Sequence, residues 1–318
     1  MLEGIRYDQV ENLARQTLDA QETMHFLRQL EEIEPKLYEY DERLLKYREF
    51  IPVNNAANPG AEEVTYRMVR RVGKAKRGAA AYGKDLPRAN AYATEHTQKV
   101  FGITSSFGYS VQELRASAMA GTPLEQQESR AASRSIHEAE NDVAWNGDDD
   151  SGIPGLFSTS QNIPTLGVSK DWSATASADE IIADFTALIS AVQVQTKGTR
   201  TPNAALLPIT QYLRIAGLPR STNSDRTVLE FILQNKEAYG LDTISSLPTE
   251  LDSAFTGGTE DGALFYDRNP DVLEQRIPLE LIIHPMQIQG FQFTFNVESR
   301  HGGTVVRYPL AMIIATGI

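Results

Sequence analysis

The 318-residue chain contains no cysteine. This absence excludes a disulfide framework, a thiolate zinc site and a cysteine nucleophile, and nothing indicates an oxidising compartment. Long apolar runs are missing as well. The nearest, residues 308–318, contains Pro309 and is shorter than the ~18 residues that a membrane-spanning helix needs. The first residues lack the basic flank and apolar core of a signal peptide. The sequence therefore predicts a soluble, cytoplasmic protein with no membrane partner.

Basic residues are scarce relative to acidic ones. The chain has 30 Lys and Arg against 42 Asp and Glu, a net charge of −12. A free-standing nucleic-acid binder normally carries a basic excess, so this class is disfavoured. Hydrophobic residues make up 41% of the chain and charged residues 23%, a mixture that can bury a core. The length predicts about two domains.

Motifs for catalysis and metal binding are also absent. The sequence has no H-E-x-x-H, no G-x-S-x-G, no G-x-x-x-x-G-K-[ST] and no G-x-G-x-x-G after a strand. The five histidines form no metal-ligand pair at helical spacing. The three aspartates at 148–150 lack the spacing of a calcium loop and are better interpreted as a solvated turn. These absences predict a protein that is not an enzyme and has no cofactor or metal site.

The N-terminal part, residues 1–50, is acidic and begins with an amphipathic pattern. Apolar residues recur near helical spacing over residues 8–34, and Pro35 ends the run. Twelve acidic and seven basic side chains give residues 1–50 a net charge of −5. The pattern predicts a helix, packed either on its own domain or, as a terminal arm, on a neighbouring subunit.

The next segment is basic and typical of a β-hairpin. Val64, Tyr66 and Met68 alternate with polar residues, and residues 93–109 form a second strand-like region. The predicted tip, residues 73–83, has little to bury. Residues 61–100 carry nine basic and four acidic side chains, a net charge of +5. Three interpretations are open: a solvated face, a nucleic-acid contact, or a contact with a protein of opposite charge.

An acidic helical segment follows the hairpin. Ser110 to Glu113 and Thr122 to Glu125 each have the pattern of a capping box, and Gly121 separates them. They predict a short helix and then a longer one that reaches Asn146. Residues 110–150 carry nine acidic and three basic side chains, a net charge of −6.

The remaining sequence predicts an α/β layer structure and then a return to β structure. In residues 166–285, Ser177 is expected to cap one helix, and Asp225 another that spans 228–239 and stops at Gly240. Residues 203–207, 264–266 and 279–283 are expected to form strands. Further on, apolar side chains alternate from Phe291 to Val297, and residues 304–315 are expected to return as a second strand.

The order of these parts, with four local motifs, carries a family resemblance. The motifs are Ile51-Pro52-Val53, Asp85-Leu86-Pro87, the entry from Phe107 to Leu114, and the loop from Gly152 to Leu156. Over residues 40–318 the chain resembles the major capsid proteins of tailed bacteriophages with the Hong Kong 97-type fold. It is most similar to the encapsulin-like branch of that family.

This resemblance implies an α+β fold of five segments. They are an N-terminal arm (1–50), an extended β-hairpin loop (51–108), a peripheral domain with a long spine helix (109–165), an α/β axial domain (166–285) and C-terminal strands that complete the peripheral domain (286–318). In type members an autocatalysed Lys–Asn bond links subunits; Lys74, Lys76, Lys84 and Asn296 are the corresponding candidates here, but the sequence does not fix their geometry.

The resemblance also implies a function. The chain would self-assemble through hexamers and pentamers into an icosahedral head around double-stranded DNA, which it would contact without sequence specificity. Portal, scaffolding and decoration proteins would be its other partners, and assembly in the host cytoplasm would place it in the virion capsid. Two alternatives are an encapsulin-type compartment shell and a soluble α/β hydrolase or binding module built on residues 166–285.

A basic hairpin without a core of its own needs another surface, and the acidic helix of a neighbouring subunit offers one. The candidate contact residues on the hairpin are Arg67, Arg70, Arg71, Lys74, Lys76 and Arg77. Those on the helix are Glu125, Glu128, Glu138 and Glu140. Each exposed pair contributes about 0–1 kcal/mol, but a shell repeats every contact many times.

Overall fold

A computed structural model of the chain describes residues 42–77, 87–121, 124–172, 175–221, 225–247, 251 and 261–318. The chain divides into two units, Met1–Leu44 and Leu45–Ile318, and all of the elements named here belong to the second. The helix predicted over residues 8–34 and the capping box predicted at Thr122 lie outside the described residues.

The described part of the second unit mixes helices and strands. The helices are α1 (Tyr47–Phe50), α2 (Val111–Ala120), α3 (Leu124–Trp145), α4 (Ala178–Gln195), α5 (Ile209–Gly217), α6 (Val228–Gln234) and α7 (Lys236–Tyr239). The strands are β1 (Val53–Asn54), β2 (Glu63–Val72), β3 (Asn90–Lys99), β4 (Phe101–Ser110), β5 (Gly147–Asp148), β6 (Ile153–Pro154), β7 (Thr165–Gly167), β8 (Ala204–Pro208), β9 (Thr243–Leu247), β10 (Gly262–Tyr266), β11 (Leu273–Arg276), β12 (Leu279–Ile283), β13 (Gln287–Gln289), β14 (Gln292–His301), β15 (Thr304–Val306) and β16 (Met312–Thr316). Short 3-10 turns cover Thr159–Gln161 and Pro309–Ala311.

A five-stranded sheet in the order β7-β16-β10-β8-β9 forms the α/β part. Its central strands β8 and β10 are buried at every position, because both faces of the sheet are covered. On one face, Phe265 packs with side chains of α4, α5 and α6, and on the other face Leu264 and Tyr266 pack with Trp145 at the end of α3. The predicted α/β layer structure is therefore confirmed.

Helix ends in this part follow the local sequence. Ser177 and Glu180 form the predicted capping box of α4, with Ser177 Oγ accepting from the Glu180 N–H. The prediction that Asp225 caps the next helix is wrong. Thr227 caps α6 instead, because the Glu230 carboxylate three residues later completes a capping box with it. Gly240 ends α7 in the left-handed conformation, as the sequence predicted.

A four-stranded antiparallel sheet carries the long helix. Strand β14 pairs with β4 along its whole length on one edge, and with β12 and β13 on the other. Helix α3 lies on this sheet through a core of Phe107, Ala132, Ile136 and Val297. Helix α2, which enters from β4, has the predicted capping box at Ser110 and ends at Gly121 (φ +70°), but it buries no side chain.

The prediction that residues 304–315 return as one strand beside β14 is wrong. Both edges of β14 are already occupied, by β4 on one side and by β12 and β13 on the other, so no partner site is left. After the turn at Gly303 the chain pairs with β11 as β15, and after Pro309 it joins the five-stranded sheet as β16 between β10 and β7. The predicted boundary between residues 285 and 286 thus does not coincide with a boundary between sheets.

The predicted β-hairpin is confirmed as β2 and β3, paired from Glu63 with Lys99 to Val72 with Asn90. The second strand-like region, residues 93–109, is two strands and not one. It breaks at Val100, whose N–H donates to the Glu62 carbonyl at 2.8 Å, because β3 belongs to the hairpin while β4 belongs to the four-stranded sheet. The described part of the predicted tip, residues 73–77, forms no strand.

Candidate assembly surfaces

The hairpin is fixed to the body at its root by a stack of charged and aromatic side chains. The guanidinium groups of Arg276 and Arg307 lie 5.2 and 5.5 Å from the centre of the Tyr66 ring. Both also contact the carboxylate of Glu274, Arg276 through Nε at 3.0 Å. The Tyr66 ring stacks on His96 of the opposite strand at 5.2 Å. Cation–π and ion-pair contacts with little water access hold this end of the hairpin in one orientation.

Backbone contacts lock the same root from its other side. Gln98 Nε2 donates to the carbonyl of Gly302, and Arg276 Nη1 donates to the Val64 carbonyl at 3.2 Å. Gly303 has φ +73°, and a Cβ there would lie 2.2 Å from Ile153, so only glycine fits this crossing. The root is therefore part of the folded body, not a flexible joint.

Beyond the root the ribbon has no core of its own. From Arg67 to Val72 and from Asn90 to Glu95, no residue is buried. Paired residues share a face, so Met68, Arg70 and Tyr92 lie on one face, whereas Arg67 and Arg71 lie on the other. A two-stranded ribbon is marginally stable in water by itself. This ribbon therefore presents two exposed faces to whatever binds it.

The six basic candidates are all exposed, but they do not form one patch. Arg67 and Arg71 are on the face opposite Arg70, and Lys74, Lys76 and Arg77 follow the end of β2. Arg67 Nε donates to Glu95 Oε1 at 2.7 Å within the hairpin, so its charge is already partnered. Among the described residues, Arg70, Arg71, Lys74 and Arg77 form no ion pair.

One of the acidic candidates, Glu128, lines a groove at the start of α3. The groove has a volume of about 330 Å³ and runs between α2 and α3 over Gly108, Tyr109 and small side chains of α2, with Glu128 at its rim. Glu125 is exposed nearby. Within the described part of the chain, neither Glu125 nor Glu128 forms an ion pair. Glu138 instead accepts from Arg134 Nε at 2.8 Å, one helical turn away.

The assignment of Glu140 to an inter-subunit contact is wrong, because its side chain is fully buried within the protomer. Its carboxylate accepts hydrogen bonds from the hydroxyl groups of Tyr47 and Ser299. Arg48 Nη2 lies 3.3 Å away and His137 Nδ1 3.1 Å away. Glu140 thus joins α1, α3 and β14, and fixes the segment that leads into the hairpin.

The charge of Glu140 is kept by these partners. Burial alone would raise the pKa of the carboxyl, but the hydrogen bonds from His137, Ser299 and Tyr47, with the charge of Arg48, lower it to about 2. A carboxylate of this kind is ionised at any pH at which the protein works. Sequence reasoning missed this role because a glutamate on an acidic helix has the pattern of a solvated face.

His301 is buried beside the hairpin root, at the end of β14. Its Nδ1 accepts the Gly303 N–H at 2.9 Å, and its Nε2 lies 2.7 Å from the side-chain amide of Gln275. An Nδ1 that accepts carries no proton, so the neutral imidazole carries its proton on Nε2, which faces the Gln275 side-chain amide. Burial lowers the pKa of His301 to about 4, against about 6.5 for an unfolded chain.

This histidine predicts an acid-sensitive protomer. Between pH 6.5 and 4 the unfolded chain binds a proton that the folded chain does not, so the free energy of unfolding falls as the pH falls. Lowering the pH from 7 to 5 should cost roughly 2 kcal/mol. Urea unfolding of unassembled protein at both pH values measures this. His301→Gln, which cannot titrate, should show a smaller difference, and equal midpoints for the parent chain at pH 7 and 5 would contradict the prediction.

Several other features bear on function. In the described part of the chain, no group of three or more His, Asp or Glu side chains is placed to hold a metal ion. No described helix is long and apolar enough to cross a membrane.

The candidates for a Lys–Asn cross-link lie in different places. Asn296 is half-buried in β14 opposite Ser106, whereas Lys74 and Lys76 are exposed beyond β2. Lys84 lies outside the described residues.

Two features of the described residues stand out: a ribbon without a core of its own, fixed to the body at its root, and charges of both signs that form no ion pair among these residues. A family model described as "Major capsid protein" matches residues 73–318. The chain belongs to the Major capsid protein family. It is a structural protein of the virion capsid and assembles with copies of itself into a shell.

Solved structures show the same fold. The capsid of Myoviridae phage XM1 matches with a TM-score of 0.79 and 18% identity, over 92% of this chain and 98% of that one. A Mycobacterium phage Bobi structure matches with a TM-score of 0.64 and 13% identity, over 94% and 98%. The virus-like particle from Pyrococcus furiosus matches with a TM-score of 0.54 and 13% identity, over 84% and 90%. The search of curated proteins found no match. The α+β, Hong Kong 97-type fold expected from the sequence is confirmed.

Proposed function

We propose that this chain forms hexamers and pentamers that close into an icosahedral head around double-stranded DNA. In this proposal the segments keep the names that the resemblance implied: residues 51–108 are the extended loop, 109–165 the peripheral domain with α3 as its spine, and 166–285 the axial domain. The chain has a structural role without catalysis, and it assembles in the host cytoplasm.

One observation supports the proposal above the others. The ribbon beyond Tyr66 buries nothing in its own protomer. Arg70 and Arg71 on this ribbon, and Glu125 and Glu128 at the start of α3, form no ion pair within the part of the chain that the structure describes. A contact between the ribbon of one copy and the α3 region of the next would satisfy both. Such a contact joins two different surfaces, and contacts of this kind close into rings.

The overall charge fits a container for DNA. A shell with a net charge of −12 per copy offers few cations to phosphate groups, so packaged DNA would slide rather than bind. We expect contact with DNA to be independent of sequence. Portal, scaffolding and decoration proteins would complete the head, as in the family that the chain belongs to.

The alternative of an encapsulin-type compartment shares the fold, as the match to the Pyrococcus furiosus particle illustrates. Negative-stain microscopy of the expressed chain tests the proposal. We expect closed shells, tubes or ring-shaped capsomers with five- and six-fold outlines. Monomers at every concentration would contradict self-assembly, and particles that enclose protein cargo rather than nucleic acid would favour the alternative.

A further inference from the structure

One end of the four-stranded sheet carries no charge. Residues 101–112 and 285–297 contain no Asp, Glu, Lys, Arg or His, although 23% of the whole chain is charged. Protein surfaces are normally about 25–35% charged residues. Two separate stretches of this length without charge, in a chain with a net charge of −12, set this region apart from the rest of the surface.

The fold brings the two stretches together. Residues 105–110 of β4 pair with residues 292–297 of β14, and β13 pairs with the same end of β14. Further along, Glu298 lies opposite Thr104 and forms an ion pair with His284 at 3.1 Å, so this pair borders the charge-free end. Thr104, Ser106 and Gly108 of β4 are exposed on the sheet face that points away from α3. These are small neutral residues, so a second body can approach this face closely.

The apolar side chains of the region are concentrated at the turn that ends it. The turn between β13 and β14 consists of Gly290 (φ +63°) and Phe291, and the Phe291 side chain is 82% exposed. Ile288 next to it is 63% exposed. The Phe291 carbonyl accepts the Val111 N–H at 3.0 Å, which ties the turn to α2. On that helix, which buries nothing, Met119 is 93% exposed.

We propose that this charge-free end, residues 105–112 with 285–297, is a contact surface between copies of the chain, and that the Gly290–Phe291 turn of one copy packs against the same turn of another. Interface cores are depleted of charge and enriched in aromatic side chains, as this surface is. Two copies that each carry −12 repel one another least where neither presents a charge. The inference rests on the proposed function, because it names one of the contacts by which the shell closes.

A single-cysteine cross-link tests the contact. The chain has no cysteine, so Gln289→Cys introduces one thiol per copy, at the turn. Mild oxidation of assembled particles should give disulfide-linked dimers on a non-reducing gel, because identical positions meet across the contact and a disulfide needs Cα atoms within about 7 Å. The matched control is Val194→Cys. Val194 is 77% exposed, but it lies on α4, which packs on the five-stranded sheet and not on the sheet that carries the turn. It should stay monomeric on the same gel.

A second pair of variants tests the role of apolar area. Phe291→Ser should lower the yield of closed particles at least about tenfold, whereas Phe291→Leu, which keeps the apolar surface, should assemble nearly as well as the parent. Neither change should affect folding of the protomer, because the ring is exposed there.

The outcomes separate this inference from the proposed function. If the parent assembles but particles of Gln289→Cys yield no dimer, or Phe291→Ser forms shells at the parent's yield, the surface is not a contact between copies, and the inference is wrong while the proposed function stands. If the parent never assembles, the proposed function fails and the inference fails with it.

Discussion

Glu140→Ala is expected to lower the free energy of unfolding of the protomer by about 3–5 kcal/mol, because the change removes one partner of a buried ionic cluster. The hydroxyl groups of Tyr47 and Ser299 would lose the carboxylate that accepts from them, and Arg48 would keep Glu280 as its carboxylate partner, with Oε2 2.8 Å from its Nη2. A fall in Tm on the order of 10 °C should accompany the loss.

Thermal and urea unfolding of unassembled protein measure this effect. Glu138→Ala is the matched control, because it removes a glutamate two residues earlier on the same helix that is exposed and pairs with Arg134 one helical turn away. It should cost no more than about 0.5 kcal/mol. Glu140→Gln should lie between the two, since it keeps an acceptor oxygen but not the charge. The expected loss is at least about 3 kcal/mol. If the free energy of unfolding of Glu140→Ala falls by less than about 1 kcal/mol, the account of this cluster is wrong.

The parts of the fold that could be predicted from the sequence are those that depend on near neighbours. The capping boxes at Ser110 and Ser177, the stop at Gly240 and the buried strand before Pro208 each follow from a few adjacent residues. Alternation of Val64, Tyr66 and Met68 also located a strand correctly. These signals are local because hydrogen bonds at helix ends and side-chain alternation are set by residues within one or two turns.

The hairpin root and the buried cluster could not be predicted in this way. Tyr66 meets Arg276 and Arg307 across more than 200 positions of the chain, and no spacing rule connects them. The role of Glu140 is equally hard to predict, because its partners Tyr47 and Ser299 come from opposite ends of the sequence. A half-buried tyrosine between two arginines is visible only once the strands have been paired.

The pairing of the last strand illustrates a further limit. Phe291 to Val297 and residues 304–315 have the pattern of a hairpin, and a turn at Gly302 and Gly303 lies between them. The chain instead passes to other sheets, because the edge that a returning strand would need is filled by β12 and β13. Competition between strands for one edge is a property of the whole fold and leaves no mark on the local sequence.

The second large effect concerns assembly. Arg70→Glu combined with Arg71→Glu should abolish closed particles while leaving the protomer folded, because both side chains are exposed and unpaired within the described residues. Arg70 and Arg71 lie on opposite faces of the ribbon, so the double variant reverses the charge on whichever face meets Glu125 and Glu128, and attraction there becomes repulsion. Single exposed pairs contribute about 0–1 kcal/mol, but each protomer of a shell makes the contact, so the loss multiplies over the particle.

Microscopy and sedimentation of the purified double variant measure the assembled fraction. The control is Lys197→Glu with Lys236→Glu, two exposed lysines of the α/β part, which changes the net charge by the same amount. It should assemble like the parent. High salt should weaken assembly of the parent, because exposed charges are screened beyond roughly 3 Å at 1 M. Normal shells from the hairpin variant would show that its cations are merely solvated.

Exchanging the charges across the proposed contact is the most direct test of whether the ribbon and the helix meet. Adding Glu125→Lys and Glu128→Lys to the hairpin variant places the basic partners on the helix and the acidic ones on the ribbon. If the ribbon of each copy binds the helix of another, the fourfold variant should recover closed particles that the hairpin variant cannot form. A fourfold variant that folds but stays unassembled would contradict the claim that these two surfaces meet.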